Sequence, residues 1–434
     1  KGIYKCFGCG KGGNSIMFIQ ELQGANYPEA LRYIAAKYNI EIIEEILTAE
    51  QENKISAKES QFIATKFASN YFQDMLWDTA EGKTIGLSYF KERGFSEEII
   101  KKFSLGYSPK QQGSFEKAAL KAGYDKEVLI ASSLIGENDQ GKSYDKFRER
   151  IIFPIHSYSG KVIGFGGRAL NPDAKSKYLN SGETLIYDKS KVLYGLDISK
   201  QAISKMNVCF IVEGYTDVIA MHQNGIQNVV SASGTALGRY QVSLIKRSTD
   251  NIILLFDGDK AGIKATLRSI NLCLKAEMNV RIGSFPEGED PDSYSKKLTT
   301  EEFKKYLNNT SINFVDYLIQ NYNLNEQTDP AKIIKIKKEI ILSISEIPDV
   351  FSREEYCRIY HPKLGISEQA LLGQVSKARS MSKSISKKKN YPEEKVLKPQ
   401  EKTENPAKQK LQKQEEEILR LLLNYGNETF LIDG

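Results

Sequence analysis

No run of the roughly eighteen consecutive apolar residues that a membrane-spanning helix needs occurs in the sequence, and no secretory-leader pattern stands at its start. Neither a membrane role nor export finds support, and a cytoplasmic location is the expectation. Cysteine is scarce, with five in 434 residues. Cys209, Cys273 and Cys357 stand in runs such as Val208-Cys209-Phe210-Ile211 and read as core residues of a protein from a reducing compartment, not as disulfide partners. Histidine is scarcer still: His156, His222 and His361 are the only three, and none has metal-ligand spacing. Net charge is also small. Lys and Arg number 61 against 55 Asp and Glu, and an excess of +6 does not by itself announce a nucleic-acid partner.

The length and an apolar content of 40% allow two to four packed domains with ordinary cores. The chain opens at Lys1, inside a cysteine motif, so a missing N-terminus is expected, and the far end reads as cut as well. Charge is unevenly distributed: between Gly141 and Lys200 eleven Lys or Arg face six Asp or Glu, whereas later acids gather in short motifs. Residues 1 to about 50 form a unit too small to fold well unaided, and a bound metal would supply the missing stability. Within it, Tyr4-Lys5-Cys6-Phe7-Gly8-Cys9-Gly10 holds a Cys-x2-Cys knuckle, and Pro28 opens a helix through Ala30, Leu31, Ile34 and Ala35.

After the polar stretch Gln51 to Lys58, apolar residues at Phe62, Ile63, Phe67, Tyr71, Phe72, Met75 and Leu76 recur at three and four positions and predict a helix. Two short helices, Ser88 to Arg93 and Glu97 to Phe103, are expected to hinge at Gly94 with Ser96 as an N-cap, a packing element. Ile151 to Ile155 and Val162 to Phe165 predict a hairpin. Four apolar runs then alternate with helical patterns: Val208–Val212, Asn228–Ala232, Ile252–Phe256 and Val280–Phe285, with helices expected over Tyr215–Gln223, Arg239–Arg247 and Asp259–Met278. Such alternation builds a parallel sheet with right-handed crossovers, whose binding edge lies at the strand C-termini.

Acids stand where those strands end. Glu213 follows the first directly, with Asp217 four residues on; Asp257 and Asp259 follow the third; Asp290 and Asp292 follow the fourth. Like charges concentrated at one edge are costly, and the usual relief is a divalent cation held by carboxylate oxygens, which suits magnesium. Any one of these acids could simply be solvated at a loop end. The set at three of four strand ends is harder to read that way.

Glu213-Gly214 after one strand and Asp257-Gly258-Asp259 after a later one resemble the Toprim domain shared by DnaG-type primases, topoisomerases of types IA and II, and some nucleases and recombination proteins. Arg148 to Ile155, Gly164-Phe165-Gly166-Gly167-Arg168, Lys177-Tyr178-Leu179-Asn180-Ser181 and Leu193-Tyr194-Gly195-Leu196 are similar, in the same order, to blocks that precede the Toprim unit in bacterial replicative primases. With Glu213-Gly214-Tyr215-Thr216-Asp217 and Glu287-Gly288-Glu289-Asp290-Pro291-Asp292, the resemblance spans nearly the whole chain.

The fold implied is α/β: a Toprim parallel-sheet domain over 207–295, flanked by an α+β N-terminal subdomain of the RNA polymerase core over 58–206 and a helical subdomain over 296–377, with a partial zinc ribbon over 1–50. The activity implied is synthesis of short RNA primers from ribonucleoside triphosphates on single-stranded DNA by two-metal nucleotidyl transfer. Two Mg2+ or Mn2+ ions would be held by Glu213, Asp257, Asp259, Asp290 and Asp292, with Asp217 nearby, and Glu213, Asp257 and Asp259 would be the catalytic acids. Arg148, Arg150, Lys177 and Lys189 match basic family positions beside the metal site, and Asn180 a polar one, where they would contact template phosphates or the incoming triphosphate. Cys6 and Cys9 look like the second half of the family's Zn2+ ribbon, whose other Cys and His ligands lie upstream, so zinc is expected in the complete protein.

Beyond Thr299 a helical pattern runs to about Lys377. Residues 378–414, rich in Lys, Ser, Glu, Pro and Gln, read as a disordered linker. Ile418, Leu419, Leu422 and Leu423 then share one face of a new helix, which Gly426 stops. In the resembled family this position, 415–434 here, begins the domain that docks on the replicative helicase. A monomer is expected, with single-stranded-DNA-binding protein as a further partner and no membrane. Two rivals keep the same fold: a Toprim topoisomerase or nuclease, which would cut DNA where a primase joins nucleotides, and a non-catalytic recombination scaffold. A topoisomerase needs a nucleophilic tyrosine in a cleavage domain, and none of the 23 tyrosines stands in such a context. Such scaffolds tend to lose the carboxylates retained here.

Overall fold

The computed structural model describes residues 3–6, 12–23, 27–38, 40, 48–171, 174, 176–234, 236–255 and 260–388. It comprises two units, Lys1–Glu52 with Asn390–Gly434, and Asn53–Lys389. In the first, Ile3–Lys5 (β1) pairs antiparallel with Gly12–Asn14 (β2), and the helices Ser15–Gln23 (α1) and Tyr27–Lys37 (α2) follow. Pro28 occupies the first turn of α2, where its missing N–H has no intrahelical partner to lose, and Ala30, Ile34 and Ala35 form the buried face.

Helix Ala49–Asp78 (α3) begins before the expected start, because Gln51 to Lys58 is itself helical. Its Glu, Lys, Gln and Ala residues are good helix formers, so they extend the helix nucleated by the buried positions Ala64, Ala68, Phe72 and Leu76 without burying anything themselves. A π-helical turn, Gly82–Leu87, leads into Ser88–Glu92 (α4) and Glu97–Lys102 (α5). These turn at Gly94, whose φ is 73°, and the Ser96 hydroxyl caps α5 by accepting from the Ile99 N–H at 3.2 Å.

Gly106–Ser108 (β3) precedes the helices Ser114–Lys121 (α6) and Lys126–Ala131 (α7), and Ile135–Glu137 (β4) pairs with Ser143–Asp145 (β5). The expected hairpin is present as Arg150–His156 (β6) and Val162–Ala169 (β7), and Tyr178–Asn180 (β8) extends it into an antiparallel sheet of order β3-β6-β7-β8. Alternation serves two cores: Ile151, Phe153 and Ile155 pack with Phe90, Phe103 and Tyr215, whereas Ile152 and Phe165 pack with Phe72, Phe115 and Phe147.

Leu196–Met206 (α8) introduces the second sheet: Cys209–Val212 (β9), Tyr215–Gln223 (α9), Val229–Ser231 (β10), Arg239–Lys246 (α10), Asn251–Leu255 (β11), Lys260–Lys275 (α11) and Asn279–Gly283 (β12). The strands are parallel in the order β10-β9-β11-β12 and agree with the sequence expectation to within two residues at each end. Both faces are covered. Cys209, Ile211, Ile252, Leu254, Val280 and Ile282 point into one core, and Phe210, Val212, Ile253 and Leu255 into the other, which is why β9 and β11 read as apolar runs, whereas in β12 Asn279 and Arg281 are exposed.

The short helix Pro291–Ser295 (α12) and Thr300–Thr310 (α13) precede Ile312–Asn313 (β13), an antiparallel edge strand too short to leave a sequence pattern. Phe314–Asn321 (α14), Pro330–Ser345 (α15), Val350–Tyr360 (α16) and Glu368–Lys388 (α17) then close the first of those cores. The first part of the linker expected from Ala378 is instead helical, because α17 continues to Lys388, and the rest of it lies outside the described residues. Arg379 donates to the carbonyl oxygens of Ser345 and Ile347 at 2.7 and 2.9 Å, pinning that stretch to the end of α15. The amphipathic helix expected near 415–425 lies outside the described residues. Among the described residues no helix is long and apolar enough to cross a membrane.

Candidate active site

The carboxyl ends of β9 and β10 lie side by side, and β11 separates β9 from β12. Glu213 leaves the end of β9 and is exposed. Its carbonyl oxygen accepts from the Ser231 hydroxyl at 3.2 Å, which joins the ends of β9 and β10. Asp217 is buried and its Oδ2 accepts from the Gly214 N–H at 2.9 Å, so this acid stabilises the turn that presents Glu213. Asp257 and Asp259 follow β11 in sequence and lie outside the described residues. Beyond β12, Asp290 caps α12 through the Ser293 N–H at 2.6 Å. Asp292 is buried between two cations, with Arg93 Nη1 at 2.6 Å from its Oδ2 and Lys296 Nζ at 2.7 Å from its Oδ1, the latter an ion pair without hydrogen-bond alignment. Among the described residues no three His, Cys, Asp or Glu side chains come together in a metal-holding cluster.

The structure brings Asn180 and Lys189 to this edge. Asn180 accepts from the Tyr215 hydroxyl at 2.6 Å and donates to the Ser233 carbonyl at 3.4 Å. Lys189 shares a recess with Tyr187, Tyr215, Ser231 and Ser233, and partial burial holds its ammonium below the usual lysine range. Arg148 and Arg150 instead line an open groove of about 440 Å³ with Gln112, Tyr144, Asp145 and Lys146. Arg148 is exposed. Arg150 donates to the carbonyl oxygens of Gly167 and Ser176 at 3.1 and 3.2 Å, and burial lowers its pKa. Lys177 is exposed at the entry to β8.

Cys6 is exposed and Cys9 lies outside the described residues. The histidines are engaged elsewhere. The Ser199 hydroxyl donates to the Val229 carbonyl at 2.8 Å, so at 3.0 Å it accepts from His222 Nε2–H; His222 Nδ1 faces Lys102 Nζ at 3.4 Å.

Three side chains beyond the sequence expectation belong to the neighbourhood. Tyr215, inside a quoted motif, stacks on Phe153 with centroids 5.1 Å apart and orients Asn180. Arg168, also inside a motif, donates to the Tyr89 hydroxyl and lies 4.9 Å over its ring; burial pushes Tyr89 up to about 12. Arg93 follows α4, a segment read as packing alone, and only its partner 199 residues away reveals its use.

Residues 1–50 match the family model described as a CHC2 zinc finger, residues 71–200 that of the N-terminal domain of the DNA primase catalytic core, and residues 210–295 that of a Toprim-like domain. A DNA primase from Halalkalibacterium halodurans is 35% identical over 374 residues, which cover 86% of this chain. The chain spans 62% of the length of that relative. Among solved structures, the Aquifex aeolicus primase, comprising zinc-binding and RNA polymerase domains, superposes with a TM-score of 0.64 at 30% identity, covering 86% of this chain and 87% of that one. A DnaG primase catalytic domain bound to single-stranded DNA gives a TM-score of 0.65 at 30% identity, covering 73% of this chain and 99% of that one.

Proposed function

The chain belongs to the bacterial DnaG-type DNA primase family, and from that membership we propose that the protein synthesises short RNA primers on single-stranded DNA from ribonucleoside triphosphates, working at the replication fork in the cytoplasm. The observation that carries the proposal is the placement of Glu213, Asn180 and Lys189 around the adjoining ends of β9 and β10, an acidic edge with cationic and polar groups beside it.

The donor set is all oxygen and carboxylate, which fits magnesium or manganese better than a thiophilic ion. Glu213, Asp257, Asp259 and Asp290, flanked by Asp217 and Asp292, would hold two such ions, which when bound would activate the primer 3′-hydroxyl and neutralise charge on the triphosphate leaving group. The chain's own groups do the rest. Asp217 holds the Gly214 turn and thereby the direction of Glu213. Lys189 and Asn180 face the triphosphate from the side of β8, and the partial desolvation of Lys189 strengthens its attraction for phosphate. Arg148, Arg150 and Lys177 take template phosphates, which requires charge and reach but no base readout.

Cys6 and Cys9 are proposed to complete a zinc ribbon with upstream ligands, and residues beyond Gln414 to begin a module that docks on the replicative helicase, with single-stranded-DNA-binding protein nearby and the primase itself monomeric. The domain limits at 206/207 and 295/296 form part of this proposal. The decisive experiment is primer synthesis from ribonucleotides on single-stranded DNA. Asp259→Asn is expected to remove most product while leaving the fold intact, a loss of several kcal/mol in transition-state stabilisation. Near-normal synthesis by the folded variant at physiological magnesium would overturn the assignment, and DNA cleavage without synthesis would favour a Toprim nuclease. For the helicase module, helicase-stimulated priming is compared between the full-length protein and a version ending at Lys388, where α17 ends; equal stimulation would refute the docking assignment.

A further inference from the structure

We infer that Arg93, Asp292 and Lys296 form a clasp that positions the loop carrying Asp290, so that Asp292 is a positioning residue and not itself a metal ligand. The inference rests on reading the acidic edge as the metal centre. Asp292 lies in α12, a five-residue helix that cannot hold its own conformation and needs outside contacts. Its side chain is 6% exposed, and each carboxylate oxygen faces one cation, Arg93 Nη1 at 2.6 Å and Lys296 Nζ at 2.7 Å. A divalent ion at this carboxylate would enter beside two positive charges that already compensate it, and repulsion from both would oppose its binding.

The clasp is one stitch of a seam. Gln223 Nε2 donates to the Gly94 carbonyl at 2.8 Å, and its Oε1 accepts from the Ser96 N–H at 2.9 Å. Asn224 Nδ2 donates to the Ser295 carbonyl at 2.9 Å. The turn at Arg93 to Ser96 is thus tied both to the end of α9, the helix that starts behind Glu213, and to α12, which Asp290 caps. On its other side the Arg93 guanidinium lies 5.5 Å over the Tyr89 ring, the same ring that Arg168 of β7 covers at 4.9 Å. One turn therefore connects the acids that follow β9 and β12 with Arg168 on β7. Losing Arg93 would leave Asp292 partly uncompensated and free the loop, and so displace the carboxylate of Asp290 without removing any metal-binding group.

The test compares Arg93→Met, Asp292→Asn and the double variant in the full chain, reading backbone hydrogen exchange over residues 286–296, Mn2+ binding by calorimetry, and primer synthesis. Each single variant is expected to speed exchange in that segment roughly tenfold, with the double variant no worse than Asp292→Asn alone. Mn2+ affinity is expected to fall to a similar extent in Arg93→Met, Asp292→Asn and the double variant, on the order of the tenfold that losing a group behind a metal ligand costs. Primer synthesis should fall chiefly in kcat. The inference is overturned if Asp292→Asn weakens Mn2+ binding by about tenfold or more while Arg93→Met leaves exchange unchanged. Should Asp292→Asn fail to fold, Arg93→Met and Lys296→Met, at the more exposed ends of the two pairs, carry the same exchange test. A wild-type chain that neither binds Mn2+ nor makes primers would sink the reading of the acidic edge, whereas exchange over 286–296 decides the clasp independently.

Discussion

Replacing Gly166 by alanine puts one methyl group against the most constrained ring beside the site. A Cβ at Gly166 falls 2.5 Å from Cε2, 2.6 Å from Cζ and 2.7 Å from the hydroxyl of Tyr215. That is about 1 Å inside ordinary carbon contact distance. The ring has no direction in which to yield: it is 3% exposed, lies parallel to Phe153 with 10° between planes, and meets Tyr194 edge-on at 4.7 Å. Tilting it breaks the 2.6 Å bond to Asn180, and with it the orientation of the Asn180 amide toward Ser233. Overpacking of a core costs about 1–3 kcal/mol and a lost buried hydrogen bond about 1 kcal/mol, so Gly166→Ala is expected to destabilise the chain by about 2–4 kcal/mol. Urea unfolding at matched m-values measures it, and primer synthesis should fall in the same variant because Asn180 leaves its position. An unchanged unfolding midpoint would refute the packing argument.

Burial, with Lys102 adding to it, pushes His222 down to about 3 from an ordinary 6.5. The unfolded chain takes up a proton near 6.5 that the folded one refuses, so stability is full above that pH and falls on acidification toward 3, by about 2 kcal/mol between pH 7 and pH 5. His222→Gln should flatten this part of the profile in urea titrations at the two pH values; parallel losses in both proteins would contradict it. Ser96→Ala removes the acceptor for the Ile99 N–H and is expected to lower stability by about 1 kcal/mol, read from the shift in unfolding midpoint. Arg148→Ala and Lys177→Ala should each weaken binding to single-stranded DNA and reduce the slope of log affinity against log salt by about 0.7, as fluorescence anisotropy across a salt series reports; an unaltered slope would mean that these side chains only face solvent.

Much of the architecture was legible because it arises from neighbours in the chain. A strand covered on both faces must be apolar at nearly every position, so β9 and β11 declared themselves, β12 shows the alternation of a strand with one exposed face, and Ser96, Gly94 and Thr299 mark helix ends through interactions spanning three or four residues. The placing of Glu213 directly past a strand end needed nothing beyond that periodicity. The polar start of α3 and the last turns of α17 were misread for the converse reason, since polar composition cannot distinguish a solvated helix from a linker when the deciding contact, Arg379 on the carbonyls ending α15, is remote. Strand order, the fit of Gly166 against Tyr215, the burial that lowers Lys189, and the engagement of Asp292 by Arg93 were decided only in the tertiary structure. Each depends on groups far apart in sequence meeting across a packed core, and local periodicity carries no information about which partner a carboxylate will find there.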